Sequence, residues 1–161
     1  MYHKTVKEIE ALFLEKGFPF ESFEHVPVVT SEDAAAIHSA FSLHQGTKAL
    51  IVRVTTEDKL KKFVMLVVPG DRKFDSAKLK TALGFSSPRF ATPEEVASIT
   101  DGVERGGVPP FGNLFGLEVY MDTEVTENEI VIFNAGDRGY SIATKSAHLV
   151  ELVHPHICSI V

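Results

Sequence analysis

Three short loops hold the residues whose types and spacing could do chemistry. The first covers residues 45–48 and ends in Lys48, which begins an apolar, β-branched run. A lysine at the mouth of such a strand either lies along apolar surface with its ammonium group in water or serves as a point charge for a phosphate or carboxylate. The pattern alone leaves both interpretations open.

The second loop, residues 106–112, is rigid by composition. Its first five residues are two glycines, a valine and two prolines: Gly106, Gly107, Val108, Pro109 and Pro110. Adjacent glycines let backbone N–H groups approach a ligand closely, and the prolines keep those groups aimed. Fixed N–H donors are what a developing oxyanion needs. An ordinary solvent-facing turn has the same composition, so this pattern also has two interpretations.

The third loop consists of small residues that follow a predicted strand. These are Asn134, Ala135 and Gly136, and they precede the polar pair Tyr140 and Ser141. One further candidate lies far away in sequence. His25 stands just before a Val-Pro pair, where it either lines a pocket or caps the end of a strand.

The other titratable residues do not match a metal or nucleophile pattern. His38 and His44 are six residues apart instead of four, and His154 and His156 flank a proline without a third ligand nearby. Cys158 has apolar neighbours, which do not activate a thiol. Phosphate-loop, dinucleotide and serine-hydrolase motifs are also missing. We therefore expect no metal, no cofactor and no cysteine nucleophile.

Length and charge exclude several classes of protein. The 161 residues correspond to a single domain, 1–161, of ordinary globular composition. The net charge of −6 argues against nonspecific binding of long nucleic acid such as DNA, so a nucleic-acid partner would have to offer a terminus to a pocket. The apolar runs are too short to cross a membrane, no secretory signal is visible and the single cysteine cannot form an internal disulfide, so we expect a cytoplasmic protein.

Local signals predict the elements that must position these loops. Helices are predicted over residues 6–14 before Gly17, from a capping pattern at Thr30, from Asp75 to Gly84, from a Thr92-Pro93-Glu94-Glu95 start to residue 99, and over 146–153. Strands are predicted over residues 20–25, 48–55, 62–68, 117–121, 129–133 and 140–143, with a tight turn over 134–139 and a possible return to the sheet at 157–161.

The order of these elements predicts the fold class. Residues 48–55 and 62–68 flank a polar segment and form an antiparallel hairpin. Strands and helices interleave without regular βαβ spacing, which excludes a doubly wound sheet. We expect an α/β fold of the α+β type, with a mixed, largely antiparallel curved sheet or barrel surrounded by helices.

The loops and their flanks together resemble the YbaK/EbsC family, which shares its fold with the editing domain of bacterial prolyl-tRNA synthetases. The resemblance extends from about residue 30 to residue 161. It is carried by six collinear segments: TSEDAA at 30–35, KALIV at 48–52, VVPGDR at 67–72, FATPEEV at 90–96, GGVPPFG at 106–112 and FNAG at 133–136.

The resemblance implies a free-standing aminoacyl-tRNA deacylase, which hydrolyses the ester between a wrong amino acid and the 3′-terminal adenosine of tRNA. Lys48 would hold the phosphate or sugar region of that nucleotide. Gly106, Gly107 and Pro110 match the family's glycine–proline loop, which shapes the aminoacyl pocket and offers backbone groups to the ester. The other expected substrate contacts are Thr30, His25, Val108, Pro109, Asn134, Ala135, Gly136, Tyr140 and Ser141. A tRNA acceptor end, and in some cases a synthetase, would be the partners.

One departure from the family weakens part of this expectation. Relatives often carry histidine where this chain has Tyr140. A phenol with a reference pKa of about 10 is a poor general base at neutral pH, so no histidine catalysis is carried over. We expect Tyr140 to fill pocket volume and favour an alanine- or cysteine-sized side chain. The same departure supports a non-catalytic binding module as an alternative, and a phosphate-ester hydrolase is a third, weaker one.

Overall fold

The computed structural model describes residues 1–27 and 40–161. The helix predicted from Thr30 lies outside the described residues. The helices are α1 (Thr5–Lys16), α2 (Ser76–Leu83), α3 (Pro93–Thr100), α4 (Thr123–Glu127) and α5 (Ser146–Val153), with a 3₁₀ turn at Gly112–Phe115. The strands are β1 (Glu21–Glu24), β2 (Thr47–Thr55), β3 (Lys61–Pro69), β4 (Ser86–Phe90), β5 (Val119–Asp122), β6 (Ile130–Asp137), β7 (Tyr140–Lys145) and β8 (His156–Cys158).

The described strands form two sheets. One is antiparallel in the order β1-β7-β6, and the other is mixed in the order β4-β2-β3-β5-β8. The predicted β2–β3 hairpin is confirmed, with Lys48 opposite Val68 and Ile51 opposite Met65. A single parallel bridge between Gly46 and Ile132 joins the two sheets just before β2 begins. The mixed, largely antiparallel architecture is therefore confirmed, as two joined sheets among the described strands.

Two apolar clusters pack on opposite faces of the five-stranded sheet. The larger lies between the sheets and α1 and includes Ile9, Phe13, Ile51 and Phe133. The smaller lies under α2 and includes Val52 and other side chains of the opposite face. Alternate residues of β2 thus enter different clusters, as a strand buried on both faces requires.

Caps that were visible in the sequence set the helix boundaries. Gly17 ends α1 in the left-handed conformation, with φ of 68°. Asp75 accepts from the backbone N–H groups of Ala77 and Lys78 at the start of α2. Thr92 and Glu95 form a reciprocal capping box at the start of α3. No helix among the described residues is both long enough and apolar enough to cross a membrane.

The third loop differs from its prediction. Residues 134–137 continue β6 instead of forming a turn, and the reversal into β7 occurs at residues 138–139. The pairing with β7 shifts register between Asn134 and Asp137, which marks a bulge. Small residues suggested a turn, but cross-strand pairing with β7 decides the conformation.

Strand β4 and helix α4 were not predicted from the sequence. Strand β4 contains Pro88 and lies at a sheet edge, where proline is tolerated.

Candidate functional site

The bridge between the sheets brings Lys48 and Asn134 to one face. Ile132 donates its backbone N–H to the Gln45 carbonyl at 3.0 Å, and Ile132 pairs in parallel with Gly46. Lys48 is two residues beyond Gly46, and Asn134 is two residues beyond Ile132. Since parallel neighbours advance in the same direction and alternate faces with a period of two, the two side chains share a face.

A chain of hydrogen bonds links four candidate residues on this face. His25 Nε2 lies 2.8 Å from Ser141 Oγ, and Ser141 donates to Asn134 Oδ1 at 3.0 Å. Asn134 Nδ2 in turn donates to the carbonyl oxygen of Gly106 at 2.6 Å. Ser141 is 2% exposed, so the middle of the chain is dry. Residues from β6, β7, the end of β1 and the glycine–proline loop therefore meet at one place.

The loop over residues 106–112 is fastened to β6 at two successive carbonyls. The Gly106 carbonyl accepts from Asn134, and the Gly107 carbonyl accepts from the backbone N–H of Gly136 at 2.9 Å. Gly106 has φ of 95°, a left-handed conformation that glycine adopts readily. Both peptide planes at this point are thus fixed by strand β6.

The fixed peptide planes decide which N–H groups of the loop can serve a ligand. Gly107 N–H donates to the Glu104 carbonyl at 2.8 Å, so it is occupied within the loop. Pro109 and Pro110 have no N–H to offer. Among the described residues, the loop amides of Gly106, Val108, Phe111 and Gly112 have no hydrogen-bond partner, and the first two adjoin the peptides that β6 holds. Because N–H and C=O point in opposite directions across a trans peptide, the Val108 N–H points away from β6.

The interpretation of residues 106–112 as an ordinary solvent-facing turn is wrong. Gly107, Val108, Pro109 and Pro110 are all buried, and only Gly106 is exposed. A Cβ added at Gly107 would lie 3.2 Å from the backbone nitrogen of Arg138 and 3.3 Å from Asp137 backbone atoms. Gly107 therefore brings the loop close to the β6–β7 turn, which leaves the loop little room to relax.

The structure does not bring the Tyr140 side chain to this face. Tyr140 precedes Ser141 in β7, so the two side chains point to opposite faces. Tyr140 is 8% exposed, donates to Glu10 Oε2 at 3.1 Å and packs edge-on against Tyr2. Burial, the largest contribution, raises the pKa of its phenol. Its expected role as a wall of the aminoacyl pocket is not supported by this placement.

Ala135 and Gly136, the other two residues of the third loop, contribute to packing of the fold. Ala135 is fully buried in the larger core cluster, on the face opposite Asn134. Gly136 has φ of 109°, and a Cβ there would collide with the Thr5 side chain at 1.8 Å. Asn134 is thus the one side chain of this loop that faces the site. Thr30 lies outside the described residues.

The remaining candidates for chemistry lie elsewhere. Burial raises the pKa of the Cys158 thiol to about 11, so it is a poor nucleophile. His44 contacts Asp71 Oδ1 at 2.7 Å, and the ring of His156 stacks on Tyr120. Within the described part of the chain, no three side chains of histidine, cysteine, aspartate or glutamate cluster as metal ligands would.

The link from His25 through Ser141 to Asn134 was not visible in the sequence. These residues were separate candidates, because no spacing rule connects position 25 with position 141. The only relevant signal is that residues 130–145 form consecutive strands, which would place Asn134 opposite Ser141 in a hairpin. The observed register has that pairing.

The sequence profile of the aminoacyl-tRNA editing domain matches residues 25–152. The chain belongs to this family of editing domains. The match includes Lys48, the glycine–proline loop and the whole His25–Ser141–Asn134 chain. The resemblance drawn from the six sequence segments is therefore confirmed.

Curated relatives match this editing domain over part of their own length. The uncharacterised protein YwhH of Bacillus subtilis (strain 168) is 35% identical over 88 residues, which is 55% of each protein. A proline–tRNA ligase from Methylobacillus flagellatus is 32% identical over 126 residues, covering 75% of this chain and 22% of the ligase. Another from Macrococcus caseolyticus is 26% identical over 140 residues, 87% of this chain and 22% of the ligase. The matched segments thus span about half of YwhH and about a fifth of the ligases.

Solved structures share the fold of this editing domain at low sequence identity. A candidate trans-editing enzyme for prolyl tRNA synthetase superposes with a TM-score of 0.78 at 22% identity, covering 99% of this chain and 98% of that one. A hypothetical protein, APE2540, also gives a TM-score of 0.78 at 22% identity, with 95% and 98% covered. Coverage of both chains almost from end to end confirms the α+β architecture.

Proposed function

We propose that this editing domain acts in trans as an aminoacyl-tRNA deacylase. Its substrate would be tRNA, foremost tRNA-Pro, that carries a wrongly attached small amino acid of the alanine or cysteine class. One observation carries the proposal: Lys48 and Asn134 share a face onto which the glycine–proline loop is fastened. This arrangement supports a role for Lys48 as the cation for the terminal nucleotide and for the loop amides as donors to the ester.

The reaction needs no protein nucleophile. A water oxygen adds to the ester carbonyl carbon, the bond to the ribose oxygen breaks, and that oxygen leaves with a proton supplied by the water. The carbonyl oxygen gains negative charge before the bond breaks. We assign the N–H groups of Gly106 and Val108 as donors to that oxygen, since they adjoin the peptides held by β6 and the Gly107 N–H between them is occupied. Loss of one such donor typically costs about 2.7–4 kcal/mol of transition-state stabilisation.

Lys48 is assigned to the nucleotide side of the substrate. Its ammonium group is a compact charge on a flexible stem, which suits a phosphate whose position varies slightly. Lys48 is the second residue of β2, and the Gly46–Ile132 bridge anchors that strand start against β6. The phosphate contact and the ester would then have a fixed separation, which orients the ester for attack.

The substrate class follows from the limits of amino-acid selection. A hydrophobic synthetase pocket distinguishes one methylene by only about 1–3 kcal/mol, so smaller amino acids enter it. A second site that admits small side chains removes the resulting products. The buried, proline-stiffened loop over 106–112 is suited to such a size limit, because it cannot easily yield to a larger side chain.

The partner would be the acceptor end of tRNA instead of its whole length. A chain with net charge −6 is poorly suited to grip a long polyanion, but one lysine beside a pocket can bind a terminal nucleotide. A synthetase that releases the mischarged tRNA could deliver it. Such a substrate places the reaction in the cytoplasm.

A non-catalytic binding module is the competing function. That alternative depended on Tyr140 in place of histidine. Since the Tyr140 side chain packs toward Glu10 and Tyr2 on the opposite face, its identity is no argument against catalysis at the loop over residues 106–112.

The deciding experiment measures deacylation of alanyl-, cysteinyl-, seryl- and prolyl-tRNA by the purified protein. We expect rapid loss of the alanyl or cysteinyl ester and little loss of the prolyl ester. Equal turnover of all four would contradict size selection. Tight binding of an aminoacyl-tRNA without any hydrolysis would instead establish the binding module.

A further inference from the structure

The lysines and arginines of this chain are concentrated in one structural unit. Ten of the sixteen lie between residues 48 and 92, together with only four of the twenty-two aspartates and glutamates. This stretch forms nearly all of β2 and the whole of β3, α2 and β4, and it has a net charge of +6, whereas the other residues together carry −12. A chain with a net charge of −6 thus has one strongly positive side.

Lys48 lies on the face of the five-stranded sheet that α2 covers. The smaller apolar cluster on this face contains Val52 of β2 and Leu79 of α2. Lys48 is four residues before Val52, and side chains alternate along a strand with a period of two, so Lys48 projects to the same face. The cation assigned to the terminal nucleotide therefore belongs to the positive side of the molecule.

The start of β2 separates the proposed ester site from the connection between β3 and α2. Two successive carbonyls point in opposite directions there: the Gln45 carbonyl accepts from β6, and the Gly46 carbonyl accepts from the backbone N–H of Gly70 just after β3. The loop that receives the ester is fastened to β6 and lies on one side of Lys48. The residues that follow Gly70 lie on the other side.

Three exposed cations follow on that far side. Arg72 and Lys73 lie in the connection from β3 to α2, and the Arg72 N–H donates to the last carbonyl of β3 at 3.1 Å. Lys78, on α2, donates to a backbone oxygen of Val161, just after β8, so it lies on the flank of α2 toward that edge. Together with Lys48 they form a cationic row that leads away from the ester site.

Carboxylates beside the cationic row have partners that leave its cations available to a phosphate. Asp71 contacts a histidine at 2.7 Å, and Asp75 accepts the N–H groups that begin α2. Glu124 pairs with Nη2 of Arg72 at 2.9 Å, so the guanidinium keeps its Nε and Nη1 N–H groups for a second anion. No ion pair among the described residues includes Lys73.

We propose that the cationic row binds the phosphodiester backbone of the tRNA acceptor stem and of the single-stranded 3′ end that joins the stem to the terminal adenosine. Lysine and arginine contacts with successive phosphates supply affinity that does not depend on base sequence. The acidic remainder of the chain repels the rest of the tRNA, so the contact is confined to one side. This inference rests on the proposed function, because Lys48 and the ester define where the RNA ends.

Binding of an uncharged RNA hairpin that copies the acceptor stem and 3′ end of tRNA-Pro tests the cationic row without catalysis. For Arg72→Ala/Lys73→Ala we expect a Kd about tenfold higher at low salt. The dependence of log Kd on log salt should be shallower by about 1.4–1.8, from two lost phosphate contacts. Lys73→Ala alone breaks no described ion pair, and its slope should fall by about 0.7–0.9. Unchanged binding in both variants would overturn the proposal.

Lys80 provides the matched control on the same helix. It is exposed, and with 3.6 residues per turn its side chain points about 200° away from that of Lys78, toward the opposite flank of α2. Lys80→Ala removes the same charge as Lys73→Ala but should leave the Kd of the hairpin within about twofold. An equal loss of affinity in the two variants would attribute binding to the general field of the positive side and would overturn the cationic row.

Deacylation of a small ester separates this inference from the proposed function. A 3′-aminoacyl ester of adenosine has the terminal nucleotide but no stem, so Arg72→Ala/Lys73→Ala should hydrolyse it as fast as the natural protein does. For aminoacyl-tRNA the same variant should have a KM about tenfold higher and an unchanged kcat. Equal KM values would overturn the cationic row and leave the proposed function in place. If neither substrate is hydrolysed by the natural protein, the proposed function fails, and hairpin binding still decides whether the row holds RNA.

Discussion

Lys48 is the side chain whose removal we expect to reduce activity most directly. Lys48→Ala should lower kcat/KM for deacylation at least tenfold, because a charge-assisted contact contributes about 1.5–3 kcal/mol. The melting temperature should change little, since Lys48 is half-buried at the end of a strand whose other residues form the core contacts. Lys80→Ala, an exposed position on α2, is the control. Unchanged activity in Lys48→Ala would remove this residue from the site.

Gly107 should now matter for stability as well as for activity. The methyl group of Gly107→Ala would meet the backbone of Asp137 and Arg138 at 3.2–3.3 Å, and neither can move aside as a flexible side chain would. We expect a loss of about 1–3 kcal/mol in the free energy of unfolding, measured by urea denaturation, together with reduced deacylation. Arg105→Ala, exposed beside the same loop, should change neither quantity. A fully stable Gly107→Ala protein would contradict the close contact.

Tyr140 should affect stability but leave substrate selection unchanged. Tyr140→Phe removes the hydrogen bond to Glu10 and keeps the buried ring. We expect a loss of about 0.5–1.5 kcal/mol in unfolding free energy and the same order of preference among the four aminoacyl-tRNAs. A changed preference would show that Tyr140 reaches the pocket despite its place on the opposite face.

At the scale of one element, the stability contributed by the start of α3 depends measurably on pH. The hydrogen bonds from Arg89, and after them the one from the Thr92 backbone, lower the pKa of Glu95 from 4.5 to about 2. Because the folded value lies below the unfolded one, the carboxylate stabilises the fold fully above about pH 4.5. That contribution is lost as the pH falls toward 2.

Glu95→Gln tests this dependence, since glutamine can still complete the capping box. The melting temperature of Glu95→Gln should lie below that of the natural protein at about pH 6, and the difference should vanish toward about pH 2. Glu94→Gln removes an exposed charge from the same helical turn without breaking the pair with Arg89. If both substitutions lowered the melting temperature equally, the cause would be the helix dipole instead of the Glu95 contacts.

At the scale of the whole molecule, we expect deacylation to be independent of metal ions bound by the protein. The described residues contain no group of three metal-ligating side chains, and an activated ester can be hydrolysed without a Lewis acid. Treatment with a chelator, followed by its removal, should change kcat/KM less than about twofold under the tRNA's usual buffer conditions. Loss of activity that zinc or magnesium restores would favour the phosphate-ester hydrolase alternative.

Local signals in the sequence determined most of the elements of this protein. Gly17, Asp75 and Thr92 mark helix ends because a cap depends on residues within one turn of it. The β2–β3 hairpin was predicted because its strands are adjacent in the chain. The loops at Lys48 and Gly106 were also recognised, because glycine, proline and lysine have distinctive local chemistry.

Tertiary structure decided how those pieces form a site. One bridge between Gly46 and Ile132 places Lys48 on the same face as Asn134. Because side chains alternate along β7 and Ser141 lies opposite Asn134, Tyr140 lies on the other face. Consecutive side chains of a strand point to opposite faces, so neighbours in sequence lie on opposite sides of a sheet. His25 reaches Ser141 only because β1 pairs with β7 from the opposite end of the chain. Such pairings depend on packing among distant segments, whereas caps and turns depend on near neighbours.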